Sequence, residues 1–495
     1  MIRKRRAGPV LGFLAFALFA GGLQAQTLTL GPYLQNVTDT SVVVRFGLDA
    51  AAEAEVRFGP TDAYGRSVTA PAAAEFELRL DGLTAGAETH YRLFAGGVPL
   101  CDDIAFRTAP PPRAPFRMLV LGDTRSDHVT HAAIVEAASA TAPQVWVHTG
   151  DMVSSGEVLE DWLTFFSIES PLMESVPQFG AIGNHDEDSG DATYYLRFYA
   201  LPENGLAREY YYSFTYGNLH GIVLDGHVNV DPEWQCVLRI GAWETCFTQQ
   251  QLDWLAADLA ASAADPDIDH ILVFLHMGPY SSKEGRSGYA QIRELLPSFL
   301  DHGVEMIISG HDHYYERGFS GNGIAYIIAA GGGAPLYETW VPPTSPPHSV
   351  VMNETVYHYV TIDVDWLCVS MTATRLDGSI LDTYATCSEP RACAVPETDC
   401  GALPPSCAAG RWVCDAGFCS AADCEGSEEP IEEAEEPAPD AAEPDTDTAE
   451  PADTLQDPDA ADPAADEVMP PDVPGDVAGE EEHDGAAGCG CSAAT

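Results

Sequence analysis

Five short segments of this chain carry the residue types that bind metal ions and move protons. They are Leu121-Gly-Asp-Thr-Arg125, Thr149-Gly-Asp-Met152, Gly183-Asn-His-Asp186, Phe274-Leu-His-Met277 and Gly310-His-Asp-His-Tyr-Tyr-Glu-Arg317, in that order and each after a short apolar run. Together they offer Asp123, Asp151, Asn184, His185, His276, His311 and His313. One carboxylate can bridge two cations about 3.5–4 Å apart while imidazole and amide oxygen complete each shell. A lone Gly-Asp or His-x-His says little, but five such segments at loop spacings point to a metal pair.

Such groups need a scaffold that brings distant loops together. In open α/β sheets functional groups gather beyond the carboxyl ends of the strands. Phe116-Arg-Met-Leu-Val-Leu121, Val145-Trp-Val-His148, His270-Ile-Leu-Val-Phe-Leu275 and Val304-Glu-Met-Ile-Ile-Ser309 read as strands buried on both faces. Helix-like stretches at residues 131–140 and 249–261 separate them, which predicts an α/β domain over residues 115–386. A β-rich stretch at residues 356–386 completes it. Upstream, residues 26–109 alternate apolar with polar in short runs broken by Asp81-Gly82 and Gly96-Gly97, as in a small β-sandwich. Pro110, Pro111, Pro112 and Pro115 predict a stiff linker between the two.

The ends of the chain are of other kinds. Residues 1–25 combine the basic Arg3-Lys-Arg-Arg6, an apolar run and Leu23-Gln-Ala25, the pattern of a cleaved secretory signal. The formal charge is −53, and residues 425–485 hold 24 Asp or Glu with no Lys or Arg. Such a surface repels nucleic acid, so nucleic-acid binding through a basic surface is not expected. The same segment is too poor in apolar residues to fold and reads as an extended, disordered spacer. Seven of the thirteen cysteines fall in residues 387–424, which predicts a disulfide-rich module outside the cytoplasm. Cys236 and Cys246 are close enough in sequence to close a further loop. Residues 486–495 contain Cys489-Gly-Cys491, which resembles the start of surface-sorting tails in some myxobacterial proteins and implies either attachment to the cell surface or release.

Over roughly residues 27–386 the chain resembles the calcineurin-like metallophosphoesterases, and within them the purple acid phosphatase branch. The likeness rests on the five segments, on Tyr211-Tyr-Ser-Phe-Thr-Tyr-Gly-Asn-Leu-His220 with Ile222-Val-Leu-Asp225, and on Gly31-Pro-Tyr-Leu-Gln-Asn36. It implies a fibronectin III-like amino-terminal domain and a catalytic domain of two packed mixed sheets flanked by helices. It also implies two metal ions of iron, zinc or manganese. By that resemblance Asp151 bridges, Asp123 and His313 serve the first ion, and Asn184, His276 and His311 the second. His185 contacts the phosphoryl group and protonates the leaving oxygen, with Asp186 orienting its ring.

Two departures qualify the resemblance. Purple members carry a tyrosine three residues after the first Asp, where this chain has Ser126, and many other members carry His where it has Arg125. Asp127, His128 or water is then left to complete the first shell. Without that tyrosine, no purple iron–phenolate colour is expected; an intense visible band in the purified protein would refute this. Residues 277–288 also lack the further phosphate-binding His that relatives have. Arg125, Lys283 and Arg286 are the cationic substitutes, and Tyr314 is expected to frame the substrate pocket. His148 is read as core or as support for the ligands, His220 as packed, and Glu316 with Arg317 as a structural pair or brace. The expected function is an exported phosphatase acting on phosphomonoesters through an activated water. A phosphodiesterase or nucleotidase, and an inactive surface binding protein, stand as alternatives.

Overall fold

A computed structural model describes residues 26–187, 192–226, 247–283, 286–321, 323–338 and 348–387, and the backbone of the strands Cys236–Leu238, Ser406–Ala408 and Arg411–Val413. The signal-like segment, the Cys236/Cys246 loop, the bulk of the Cys-rich module, the acidic spacer and the Cys-Gly-Cys terminus lie outside the described residues. No helix among the described residues is long and apolar enough to cross a membrane.

The period-2 alternation of side chains across a strand builds the core. In the strand His270–Leu275, Leu272 and Phe274 face a second sheet, while Ile271, Val273 and Leu275 face helices. Met306 and Ile308 of Val304–Ser309 repeat the first pattern, and Val304 and Ile307 the second. Rings close the gap between sheets: Phe179 stacks on Phe214 at 3.9 Å, and Phe116 meets Tyr216 edge-on at 4.9 Å. The helices Gln249–Ala264 and Ala290–Asp301 cover the outer face through Leu255, Leu259, Ile292, Leu296 and Phe299. Thr248 caps the former by accepting from Gln251 N–H, and Asp127 caps His128–Ser139 by accepting from Val129 and Thr130.

Among the described residues the two large sheets have twelve and seven strands, beside two sheets of two strands each. In the first, Phe116–Leu121, Val145–His148 and Gln178–Gly180 run parallel. In the second, His270–Leu275 and Val304–Ser309 do so. All five point their carboxyl ends at the same region. The amino-terminal segment is all-β, and its six strands, from Leu28–Gln35 to Ile104–Arg107, belong to the twelve-stranded sheet. Leu28–Gln35 pairs with Ser41–Gly59 and also, at Gln35 and Gln178, with the α/β sheet, so the two domains share a continuous sheet. The proline segment between them is tied down by Arg113, which pairs with buried Asp269 at 3.0 Å.

The loop before the strand Tyr212–Tyr216 contains an unsupported acid. Glu209 is buried; one carboxylate oxygen takes a long bond from Leu201 N–H and the other has no partner. Burial pushes its carboxyl up to about 7. The unfolded chain therefore releases this proton first, so stability falls as pH rises from the ordinary carboxylate range to about 7. Glu209→Gln is expected to raise stability by about 2 kcal/mol at pH 8 and to leave it unchanged at pH 4. Thermal melts at the two pH values check this, and equal gains at both would refute it.

Candidate metal centre

Each donor sits just past a strand end. Asp123 follows Phe116–Leu121, Asp151 follows Val145–His148, Asn184 follows Gln178–Gly180, His276 follows His270–Leu275, and His311 and His313 follow Val304–Ser309. Asp123, Asp151 and His311 adopt φ of 55°, 56° and 69°, a region costly for residues with a Cβ and often kept at functional sites. Close backbone approach is needed at Gly183, where a Cβ would meet the Asp151 nitrogen and carboxylate, and at Gly310, where it would meet Asp123 Oδ2.

The ligand atoms converge in two groups. Asp151, His276 and His311 present theirs within 4.8 Å of one another, as do Asp123, Asp151 and His313, so Asp151 is common to both. Asn184 Oδ1 lies 3.1 Å from His276 Nε2 and 3.0 Å from His311 Nδ1, and those two nitrogens are 3.2 Å apart. Asp151 Oδ1 is 3.1 Å from His276 Nε2, and Asp123 Oδ1 is 3.3 Å from His313 Nε2. Donors held at about 2.0–2.1 Å from a common ion are separated by roughly 3.0–3.4 Å in octahedral or tetrahedral shells, so these edges fit a cation.

The far nitrogen of each imidazole supports the same reading. His276 Nδ1–H donates to Thr149 carbonyl at 2.8 Å, and His313 Nδ1–H to Pro335 carbonyl at 2.7 Å. His311 Nε2 pairs with the Tyr289 hydroxyl at 2.8 Å. Such bonds fix the tautomer that leaves the other nitrogen's lone pair for a metal. Burial alone would raise Asp151, but His276, His185 and Arg125 outweigh it and hold the carboxyl well below the usual range. Burial pushes His311 well below the usual imidazole range, leaving it neutral. The residues present therefore fit a metal pair.

Other expected site residues are placed differently. His185 donates its Nδ1–H to Ser154 carbonyl at 2.8 Å and its backbone N–H to Asp151 Oδ1. Asp186 does not orient that ring. Its fully buried carboxylate accepts the backbone N–H groups of Asp151, Met152, Val153 and Gly183 at 2.8–3.2 Å, because the short helix Asn184–Glu187 turns it inward. Tyr314 also leaves the pocket: it is buried, and its hydroxyl meets Ser281 Oγ and Ser282 N–H. Arg286 pairs with Asp312 at 2.7 Å, and Lys283 Nζ lies 3.2 Å from the centre of the Tyr337 ring, which stacks on His313. Arg125 lies at the centre itself, its Nε 3.3 Å from Asp151 Oδ2. Asp127 is occupied as a helix cap and His128 is exposed on that helix.

His148 supports the ligands: Nδ1 accepts from Gly150 N–H and Nε2 pairs with Thr124 Oγ1, joining the two Asp loops. His220 is packed against Asp258. Glu316 and Arg317 do not pair with each other; Glu316 takes Tyr326 and Asn353, and Arg317 takes Asp382. Sequence reasoning missed Tyr289, whose role depends on the loop after His276 folding back over His311.

Comparison with known proteins gives the same picture. Residues 116–315 match the family model described as calcineurin-like phosphoesterase. Two uncharacterized proteins of Mycobacterium tuberculosis are 26% identical over 340 residues, covering 60% of this chain and 62% of each relative. The chain thus spans less than two thirds of their length. Purple acid phosphatase 18 of Arabidopsis thaliana is 25% identical over 218 residues, 42% of this chain and 46% of that protein. Among solved structures, a purple acid phosphatase from yellow lupin (Lupinus luteus) seeds is similar in fold, with a TM-score of 0.60 and 18% identity over 72% of this chain and 74% of that one. The structure of PhoD is similar with a TM-score of 0.55 and 13% identity, over 73% of this chain and 90% of that one. The chain therefore carries a calcineurin-like metallophosphoesterase domain, with purple acid phosphatases among its homologues and its neighbours in fold.

Proposed function

We propose that the chain is an exported, metal-dependent phosphoric ester hydrolase that cleaves phosphomonoesters. The observation that carries this reading is the convergence of six donors in two groups that share Asp151. When bound, iron, zinc or manganese ions there would lower the pKa of a water to near neutrality and offset charge on a phosphoryl group. The protein's own groups do the rest. With Nδ1–H committed to Ser154, His185 has Nε2 as the atom that holds a proton for the leaving oxygen. The Arg125 guanidinium offers two parallel donors to phosphoryl oxygens. The signal-like first 25 residues support export, as does the Cys368–Cys387 disulfide, a bond favoured outside the cytoplasm. The β domain is read as fibronectin III-like, and the Cys-Gly-Cys terminus as a surface attachment.

The test is hydrolysis of a chromogenic phosphomonoester and its diester analogue by the full chain, loaded in turn with manganese, zinc and iron. Metal-dependent turnover is expected, with the monoester preferred. A diester preference would move the assignment to a phosphodiesterase or nucleotidase. No turnover with any metal, in folded protein, would leave a binding protein built on this fold.

A further inference from the structure

The two cation positions are built unequally. On one side Asp151 Oδ1, Asn184 Oδ1, His276 Nε2 and His311 Nδ1 present four donors with edges of 3.0–3.2 Å. On the other, Asp123, Asp151 and His313 present three. Arg125 stands against two of these, with Nε 3.3 Å from Asp151 Oδ2 and Nη2 3.4 Å from His313 Nε2. His313 gives its Nδ1 proton to Pro335, so the Nε2 facing Arg125 is a lone pair. The guanidinium is thus ion-paired with one of the donors that a cation there needs and hydrogen-bonded to another. Nearby side chains do not make up the difference: Ser126 is exposed and faces Ser154, and Asp127 caps a helix.

We propose that Arg125 is a built-in competitor for the cation position beside Asp123 and His313, so that this position fills last and weakly while the Asn184 position holds its ion tightly. The inference rests on the metal-dependent reading above. Arginine stays charged at every accessible pH, so an incoming ion must break both contacts and then sit beside a like charge. Anything that draws the guanidinium away, such as an oxyanion of a bound substrate, strengthens the second ion in turn.

The experiment compares the full-length wild type with Arg125→Met, which keeps length without charge, and Arg125→Lys, which keeps charge. Metal-free protein is titrated with manganese alone; bound metal is measured by elemental analysis and the ions by electron paramagnetic resonance. The wild type is expected to bind one ion tightly and to need at least about tenfold more free manganese for a second. Its spectrum at one equivalent is that of an isolated ion. Arg125→Met is expected to take two ions of similar affinity as a spin-coupled pair, and Arg125→Lys to follow the wild type. Two equally tight ions in the wild type, or an undiminished inequality in Arg125→Met, would overturn the competition. A wild type that binds no ion would overturn the metal-dependent reading itself, and this inference with it.

Discussion

Asp151→Asn is expected to abolish both metal binding and turnover while leaving the fold intact. Asp151 is the donor shared by the two groups, 1% exposed, with Oδ1 facing His276 and Oδ2 facing Arg125. Asparagine keeps its shape and can still accept from His185 N–H, so the loop has no reason to collapse. What disappears is the negative charge that lets two cations approach each other in a buried site. Metal-assisted catalysis is worth several kcal/mol, and each 1.36 kcal/mol is tenfold in rate, so turnover should fall at least about a thousandfold. Elemental analysis and a chromogenic phosphomonoester assay on the same sample check both halves. Retention of both ions with activity within tenfold of the wild type would falsify the shared-ligand role.

Asp186→Ala is the substitution with the largest expected effect on stability. Its carboxylate takes four backbone N–H groups, from Asp151, Met152, Val153 and Gly183, all in buried surroundings. Each orphaned buried donor costs about 1–3 kcal/mol, and partial refilling by water brings the expected loss to about 3–5 kcal/mol. Metal content should fall with it, because the same bonds hold the Asp151 loop against the Asn184 turn. A carboxylate that merely oriented His185 would behave otherwise: turnover would drop while the melting curve and the bound metal stayed as in the wild type. Calorimetry together with metal analysis separates the two.

Much of the scaffold is legible in the sequence because buried parallel strands are apolar on both faces, so Phe116–Leu121 and His270–Leu275 stand out against their flanks. The donors are legible for a related reason, since a strand end followed by Gly-Asp or Gly-His places a polar side chain where only a ligand justifies it. The partners that hold those donors are not. Thr149 and Pro335 act through carbonyls, which every residue has, and Tyr289 through a contact made only when its loop folds back. Asp186 is hard to read from the sequence because adjacency to His185 suggests a pair, whereas the short helix sends the two side chains in different directions. The junction at Gln35 and Gln178 hides for another reason: a single residue pair leaves no periodicity to read.

Cys387, which the sequence groups with the downstream cysteine cluster, bonds to Cys368 across the antiparallel strands Cys368–Arg375 and Ile380–Cys387. That leaves six cysteines, from Cys393 to Cys424, in the cluster. The bond also has a mechanical meaning. Ile380–Cys387 is an edge strand whose last residue leads directly into the following chain, and tension applied there would peel it away one hydrogen bond at a time. The disulfide closes the open end of that hairpin, so a pull on the downstream chain is borne by a covalent link to Cys368 instead of by a fraying edge.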